Sequence, residues 1–364
     1  MAVIAAAIWF LAHNTLENMR VRGIQSGFGF LAQPAGFDIG ESAFAFDSGD
    51  AYWKAFLVGL SNTLRAALVG IVLTTILGTL IGIGRLSRNF LVRGLCTGYV
   101  ELFRNIPVLI QLLMWYFLLN EWLPPVADAL HPLPGIFLSK SGMSFPVPEW
   151  EQGHVVSLAG FAMGIVVAWL YRRWARAAFE KTGVARPMVW PALVIAGLGG
   201  LLGWLAGGAP TALEMPVRND LNVSGGGAVT PEFLAVTLGL TIYTASFVAE
   251  IVRSGIQSVQ WGQTEAAGAL GLSRAQALKL VLLPQALRVV IPPLTNQYLN
   301  LTKNSSLAVA VGYPDLVSIS NTTLNQTGRA VECITILMAV YLTLSLVTAA
   351  LMNWYNARSA IKER

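Results

Sequence analysis

Charged residues are scarce in this chain of 364 residues. Only 12% of them are Asp, Glu, Lys or Arg, about half the share of a soluble globular domain, whereas 55% are hydrophobic. A water-soluble fold of this length would lack the polar side chains to cover its surface, and a disordered chain needs low hydrophobicity with high charge. Both classes are excluded. The apolar residues come in blocks long enough to cross a bilayer, which indicates a membrane protein with several spans.

Cysteine and histidine are scarce too, and this limits the chemistry that the chain can perform. Cys96 and Cys333 lie in or beside apolar blocks without metal or redox spacing, and we expect them to pack as small hydrophobic residues. The histidines, His13, His131 and His154, are near the outward ends of the predicted spans. We therefore expect no metal site, and an intramembrane enzyme has no support. No basic run points to nucleic acid.

Seven blocks can cross a bilayer, whose hydrocarbon core of ~30 Å needs about 20 helical residues. They cover residues 56–84, 99–119, 154–171, 188–206, 233–253, 291–311 and 331–354. Residues 2–12 imply an eighth span but number only eleven, so we expect the chain to begin inside its first helix. A half-spanning or interfacial helix is the alternative, whereas a signal peptide would need basic residues ahead of the apolar stretch. The predicted fold is all-α, with about eight transmembrane helices.

The basic residues predict the orientation of these spans, since basic loops stay in the cytoplasm. One set of loops contains fifteen Lys and Arg, and the opposite set contains six. The richer set comprises Arg85, Arg88, Arg93, Arg172, Arg173, Arg176, Lys181, Arg186, Arg253, Arg274, Lys279, Arg288, Arg358, Lys362 and Arg364. We expect both termini to lie on that side. The opposite loops are rich in turn formers and are expected to be connections without a second folded domain.

The loop between the spans ending near Arg253 and starting near Ile291 consists mainly of helix formers. Gly271 can end one helix in the left-handed conformation. Ser273 and Gln276 form a capping box for a second helix, from Arg274 to about Leu283, before Pro284. We call residues 261–290 the elbow. Two interpretations follow from the residues alone: a stiff lever that transmits force from a soluble partner, or a surface segment that only links two spans.

The elbow is similar to the EAA loop of ABC importer permeases. In that pattern Glu-Ala-Ala is followed by three residues, Gly, nine residues, Ile, any residue, Leu and Pro. The matching positions are Glu265, Ala266, Ala267, Gly271, Val281, Leu283 and Pro284. Val281 in place of Ile is the only departure. The surrounding sequence resembles the polar amino acid branch of the family over residues 56–121 and 230–356.

The resemblance implies that the elbow docks as a coupling helix on a separate ATPase dimer that binds ATP and Mg²⁺. The implied coupling residues are Glu265, Ala266, Ala267, Gly271, Leu272, Ser273, Arg274, Leu283 and Pro284. A P-loop needs Gly directly before its Lys, and no lysine of this chain follows a glycine. We therefore expect no ATPase activity, and no cofactor bound by the chain itself.

The resemblance also divides the chain. A type I importer core of five helices would comprise residues 56–121 and 230–356, preceded by an N-terminal helix and periplasmic segment, 1–55, and followed by a cytoplasmic tail, 357–364. The insertion, 122–229, adds a transmembrane hairpin and resembles the glutamate/glutamine/aspartate/asparagine and general L-amino acid permeases. This resemblance implies a heterodimer with a different permease chain and a periplasmic amino acid-binding protein. It also implies a location among the lipids of a bacterial inner membrane. Acidic, amide or broad-range L-amino acids would be the substrates.

The span at 291–311 is unusually polar, and polar groups at membrane depth usually face a bundle interior or a wet cavity. We expect its polar residues to line the substrate path: Thr295, Asn296, Asn300, Thr302, Lys303, Asn304 and Ser305. Asn296, Asn300 and Lys303 are spaced for one helical face. The alternatives are hydrogen bonds between helices, of ~0.6 kcal/mol each, and for Lys303 a side chain that reaches the interface. Related permeases have LKDTSL where this chain has TKNSSL, with Asn304 at the acidic position.

Two local ion pairs are predicted from the spacing of three residues, Glu101 with Arg104 and Glu250 with Arg253. The second would brace the elbow. Pro107 is expected to kink the span at 99–119. A transporter driven by an ion gradient remains the rival function, with Glu101 or Glu332 as the coupling carboxylate.

Overall fold

The computed structural model describes residues 26–184, 186–219 and 222–359, together with isolated positions ahead of residue 26. The predicted short span at 2–12 is not among the continuous described ranges, and the end of the predicted tail lies outside the described residues. Two compact units are present, one formed by Met1–Leu123 with Val229–Arg364 and the other by Pro124–Ala228. The predicted insertion has nearly the same limits as the second unit.

The first unit is helical. Its α-helices are α1 (Tyr52–Gly84), α2 (Phe90–Asn105), α3 (Val108–Trp122), then α6 (Pro231–Gln257), α7 (Trp261–Ala269), α8 (Arg274–Ala277), α9 (Leu283–Asn304), α10 (Leu316–Thr327) and α11 (Ala330–Ser359). Short 3-10 helices occur at Phe28–Ala32 and Ser305–Val311. The second unit contains α4 (Gln152–Thr182), α5 (Val189–Ala206) and a 3-10 turn at Val126–Asp128. The predicted helical fold class is confirmed.

Six helices or continuous helical stretches among the described residues are long and apolar enough to span a membrane, and a seventh span results if α2 and α3 count as one. The chain is a multi-pass membrane protein. The predicted kink at Pro107 is a complete break, because the two helices bend by 107°. Ile106 is extended, as a residue before proline prefers. Gln111 Nε2 then donates to the carbonyls of Phe103 and Ile106, each at 2.9 Å.

Helices α1 and α6 form the centre of the first unit and approach closely through glycines. A Cβ on Gly78 would lie 2.6 Å from Cβ of Val248, and one on Gly82 would lie 2.7 Å from the carbonyl oxygen of Ala249. Small residues allow such backbone approach between membrane helices, where packing rather than water exclusion holds them together.

The elbow departs from the prediction at its end. Its second helix was expected to stop before Pro284, but the chain passes from α8 through a π-helical turn at Leu278–Leu282 directly into α9. Pro284 lies in the first turn of α9, directly after the π-helical turn. The elbow is therefore continuous with the polar span.

The second unit is a helical hairpin with short strands. The strands are β1 (Phe137–Ser139), β2 (Gly142–Phe145), β3 (Val147–Pro148), β4 (Leu213–Glu214), β5 (Val217–Arg218), β6 (Val223–Ser224) and β7 (Gly227–Val229). They form the sheets β1-β2-β7, β3-β4 and β5-β6, with Phe137 opposite Ser144 and Val217 opposite Ser224. The expectation of connections without a folded unit was wrong here, because strands from both ends of this segment pair with one another.

Candidate coupling loop and membrane cavity

The candidate coupling loop presents one face of α7 to solvent. Glu265 and Ala266 are exposed, whereas Ala267 is buried at 3% exposure. Trp261 Nε1 donates to Oε1 of Glu265 at 3.0 Å, which orients the carboxylate along the helix. Leu270, directly after the helix, is 80% exposed. A small, partly apolar surface is thus available to a partner.

The corner after α7 has the local geometry that its sequence predicts. Gly271 adopts φ +74°, and Leu272 N donates to the carbonyl of Ala267 at 3.1 Å. The predicted capping box is formed: Gln276 N donates to Oγ of Ser273 at 3.3 Å, and Ser273 N donates to Oε1 of Gln276 at 2.9 Å. These contacts fix the direction in which α8 leaves the corner.

The two arms of the elbow are also joined to each other. Gln285 Nε2, in α9, donates to Oε1 of Gln263, in α7, at 3.2 Å. Ala277 is buried inside the elbow, while Arg274 and Leu283 are exposed. The hydrogen bond thus joins α7 to the start of α9.

An ion-pair cluster lies where α6 leads towards the elbow. The predicted pair is formed, with Arg253 Nη2 at 2.5 Å from Oε1 of Glu250. Arg85, just after α1, contacts the other carboxylate oxygen of Glu250. Arg85 was missed from the sequence because its contact depends on the packing of α1 against α6. One carboxylate thus connects the ends of two helices.

The other predicted ion pair, Glu101 with Arg104, does not form among the described residues. The Arg104 guanidinium instead lies 5.0 Å from the ring centre of Phe247, in α6. Glu101 and Arg104 are both exposed in the second half of α2. Arg104 makes a cation–π contact with the neighbouring helix instead of an ion pair with Glu101, because an exposed local ion pair contributes little to stability.

A cavity of about 280 Å³ lies between α6 and α9. Its lining residues are Tyr243, Thr244, Phe247, Gln297, Asn300 and Asn304. Asn300 and Asn304 were predicted to line the path, whereas Gln297 was missed. The hydroxyl of Thr244 is buried and has no hydrogen-bond partner among the described residues. The lining offers amide and hydroxyl groups beside two aromatic rings, which suits a small polar molecule.

Two other residues predicted for the path lie elsewhere. Asn296 is exposed, and Lys303 lines a different cavity, of about 360 Å³, with Ser306 and Tyr341. The predicted common face of Asn296, Asn300 and Lys303 therefore does not form one lining. Residue spacing shows which side chains share a helical face, but it does not show which face points towards a neighbouring helix. In the structure, the packing of α9 on α6 turns positions 297, 300 and 304 towards the cavity.

Three further predicted hydroxyls are satisfied within α9 and its 3-10 continuation. Thr295 donates to the carbonyl of Ile291 at 3.1 Å, Thr302 to that of Tyr298 at 2.9 Å, and Ser305 to that of Thr302 at 2.7 Å. All three are buried. Such bonds to the preceding turn supply the local polar partner that a buried hydroxyl needs.

Another ion pair missed from the sequence holds the segment ahead of α1. Glu41 is buried, and its Oε1 lies 2.6 Å from Nη1 of Arg65 in α1. Its Oε2 accepts hydrogen bonds from the backbone N–H and hydroxyl of Thr230, which caps α6. Arg65 also lies 4.6 Å from the ring centre of Phe233. The residues are far apart in sequence, so no spacing signal indicated the contact.

Among the described residues no cluster of His, Cys, Asp or Glu could hold a metal ion.

Comparison with known proteins gives a family model described as "Binding-protein-dependent transport system inner membrane component", which matches residues 70–361. The chain is 46% identical to the general L-amino acid transport system permease protein AapQ of Rhizobium johnstonii, over all of this chain and 91% of that protein. It is 39% identical to the glutamate/glutamine/aspartate/asparagine transport system permease protein BztB of Rhodobacter capsulatus, over 99% of this chain and 92% of that protein.

A solved structure, described as an amino acid ABC transporter with histidines, has a similar fold. Its TM-score is 0.50 at 20% identity, over 84% of this chain and 95% of that chain. At this sequence identity the similarity shows only that the two chains share a fold.

Proposed function

The chain belongs to the family of binding-protein-dependent transport system inner membrane components, and on that premise we propose that it is a permease subunit of an ATP-driven importer of L-amino acids. The observation that carries the proposal is the extended similarity to amino acid permeases together with an exposed EAA elbow. Acidic and amide amino acids, or a broad range of L-amino acids, are the substrates, as the names of the relatives suggest.

The energy comes from a separate ATPase dimer that binds ATP and Mg²⁺ and grips the elbow around Gly271. The exposed Glu265 and Ala266 and the apolar side chain of Leu270 support this role. The chain itself has no P-loop lysine. The hydrogen bond between Gln285 and Gln263 would transmit the motion of the gripped helix into α9.

The cavity between α6 and α9 is the proposed substrate path in this chain. Asn300, Asn304 and Gln297 can donate to carboxylate oxygens and accept from an ammonium group, and Tyr243 and Phe247 supply apolar walls. The unpartnered hydroxyl of Thr244 is an additional donor and acceptor. Since α9 continues from the elbow, motion of the elbow would change this cavity as the ATPase cycles.

The proposed assembly contains a second, different permease chain and a periplasmic amino acid-binding protein in a bacterial inner membrane. The basic loops, including those with Arg88 and Arg176, face the cytoplasm, and the termini lie on the same side. The second unit belongs to the insertion, whose short strands are then periplasmic.

A transporter driven by an ion gradient is the competing function, but its two candidate carboxylates do not line the described cavity. Glu101 is exposed on α2, and Glu332 accepts a hydrogen bond from the backbone N–H of Gly27 at 2.6 Å.

The test is uptake of labelled glutamate and glutamine by proteoliposomes that contain the full assembly and the binding protein. We expect uptake to need ATP on the ATPase side and to survive ionophores that collapse proton and sodium gradients. Uptake without ATP that disappears with the gradient would overturn the proposal. An Asn300→Leu variant should lose about tenfold or more in uptake efficiency, because a charged substrate would lose hydrogen bonds. Thr302→Val, whose hydroxyl bonds within α9, is the matched control.

A further inference from the structure

Glycines allow the two helices of the hairpin in the second unit to pack closely along their length. A Cβ on Gly203 would lie 2.6 Å from the carbonyl oxygen of Val156, and one on Gly199 would lie 2.5 Å from that of Gly160. Further along, Tyr171 Oη donates to the carbonyl of Pro187 at 3.1 Å, just before α5 begins. Helices α4 and α5 therefore run side by side only as far as Tyr171.

Helix α4 continues beyond this point without α5 beside it. It has 31 residues and a length of about 46 Å, whereas the hydrocarbon core is ~30 Å thick. The part of α4 from Gln152 to Tyr171 matches that thickness. The remaining stretch, residues 172–182, therefore starts near the membrane surface and extends about 16 Å past it. We call residues 172–184 together with Arg186 the basic extension.

The basic extension contains five cations and one acid, Glu180. The cations are Arg172, Arg173, Arg176, Lys181 and Arg186. All five are exposed, and none of them forms an ion pair within the described part of the chain. In contrast, Arg85 and Arg253 both pair with Glu250. The extension is thus a local excess of unneutralised positive charge at one membrane surface.

Two of these arginines are held against tryptophan rings. The Arg173 guanidinium lies 4.8 Å from the ring centre of Trp169, and that of Arg186 lies 4.6 Å from that of Trp174. Both tryptophans are more than half exposed. Stacking on a ring restrains the guanidinium plane, while its N–H donors remain free for bidentate bonds to a phosphate.

We propose that the basic extension binds the phosphate headgroup of an anionic phospholipid, with the tryptophans at the level of the headgroups. This rests on the proposed function and its orientation, in which this end of the hairpin faces the cytoplasmic leaflet. Anionic lipid attracts basic residues near the surface, and each of them raises affinity about fivefold. The exposed rings of Trp169 and Trp174, close to Tyr171 in the chain, favour a lipid over free phosphate.

The chain offers a matched control in another basic loop. Arg88 and Arg93, near the start of α2, are exposed and form no ion pair or aromatic stack within the described residues. They lie on the same proposed side of the membrane. A site built from stacked arginines on a protruding helix should depend on the extension, whereas a general charge effect should depend equally on both regions.

The experiment counts lipids bound to the complete purified importer by native mass spectrometry during titration with phosphatidylglycerol. The test variant combines Arg173→Gln, Arg176→Gln and Arg186→Gln, and the control combines Arg88→Gln and Arg93→Gln. We expect about a fivefold loss of affinity for each arginine removed from the extension, hence about a hundredfold for three. The control should change affinity less than about twofold, since neither Arg88 nor Arg93 belongs to the basic extension. Phosphatidylcholine should bind weakly to every form, and inorganic phosphate should not displace the lipid.

Equal retention of phosphatidylglycerol by the wild type and the triple variant would overturn the proposal, as would equal loss in the control. Displacement by inorganic phosphate would assign the site to free anions and also overturn it. If the triple variant does not assemble, the single change Arg186→Gln, outside α4, carries the same test with an expected loss of about fivefold. Lipid binding is measured without transport, so its failure is separate from a failure of the proposed function.

Discussion

Arg85 and Glu250 are in direct contact, and this contact ties the residue that follows α1 to the last third of α6. The Arg85 side chain is only 9% exposed, and Glu250 has a second partner in Arg253. One carboxylate therefore neutralises two cations at the point where α6 leads into the elbow.

We predict that Glu250→Gln destabilises the chain by about 1–3 kcal/mol, because it leaves the nearly buried Arg85 without its counter-ion. Arg253→Gln should cost less, about 1 kcal/mol or below, since the side chain of that arginine is 29% exposed. Thermal unfolding of the full chain in detergent measures both. Equal losses of stability in the two variants would contradict the prediction that the unpaired Arg85 causes the larger destabilisation.

Gly255 marks a close approach between α6 and α9. A Cβ at this position would overlap Cγ2 of Val290. We predict that Gly255→Ala costs about 1–3 kcal/mol through overpacking and that adding Val290→Ala restores part of the loss. Gly94→Ala is the control, because a Cβ there meets nothing within 4 Å. Additive effects of Gly255→Ala and Val290→Ala in thermal unfolding would show that the two helices are not in contact.

Gly271 is in the left-handed region, at φ +74°. Gly271→Ala should strain the corner by about 1 kcal/mol and lower transport more than it lowers ATP hydrolysis, because the elbow would no longer hold its angle. Gly94→Ala, in α2 and outside the elbow, has open space and no left-handed φ, so it should transport normally. The ratio of uptake to ATP hydrolysis is the measurement, and an unchanged ratio in Gly271→Ala would count against the elbow as a lever.

Asp315 caps α10 and is buried, with Oδ1 accepting from Ser318 N at 2.8 Å and Oδ2 without a partner among the described residues. Burial raises the pKa of this carboxyl from 3.8 to about 7. The folded state therefore holds the proton more tightly than the unfolded state. The stability contributed by this group is fully present below about pH 4 and is lost as the pH rises to about 7.

Replacement by Asp315→Asn should flatten this decline in thermal stability between about pH 4 and pH 7. Asp50→Asn is the control, since a hydrogen bond from Lys54 lowers the pKa of Asp50, and any stability that it contributes is lost only at more acidic pH. Parallel pH profiles for the wild type and Asp315→Asn would refute the assignment.

Local sequence signals predicted the parts of the site that are built from neighbours in the chain. The capping box of Ser273 and Gln276 and the pair of Glu250 and Arg253 need only a helix and a short spacing. Tertiary packing decided the rest. Arg85 reaches Glu250 because α1 and α6 pack together, and the rotation of α9 places position 297 rather than position 303 in the cavity.

The same distinction holds for the fold. The apolar blocks predicted the spans from composition, since each needs only length and hydropathy. The break between α2 and α3 and the strands of the second unit depend on contacts that hydropathy does not record. Pro107 predicted a kink in one helix. The structure has a complete break instead, where Gln111 donates hydrogen bonds to the carbonyls of Phe103 and Ile106.

Site-directed crosslinking tests most directly whether an ATPase grips the exposed face of α7. Ala266→Cys, in a chain with Cys96→Ala and Cys333→Ala, is treated with a short thiol-to-amine crosslinker in the assembled, transporting complex. We predict an adduct with the ATPase whose yield changes with ATP, and little adduct from Arg88→Cys in the loop between α1 and α2. A complex that transports normally yet gives no adduct from position 266, or gives equal adduct from position 88, would contradict this grip.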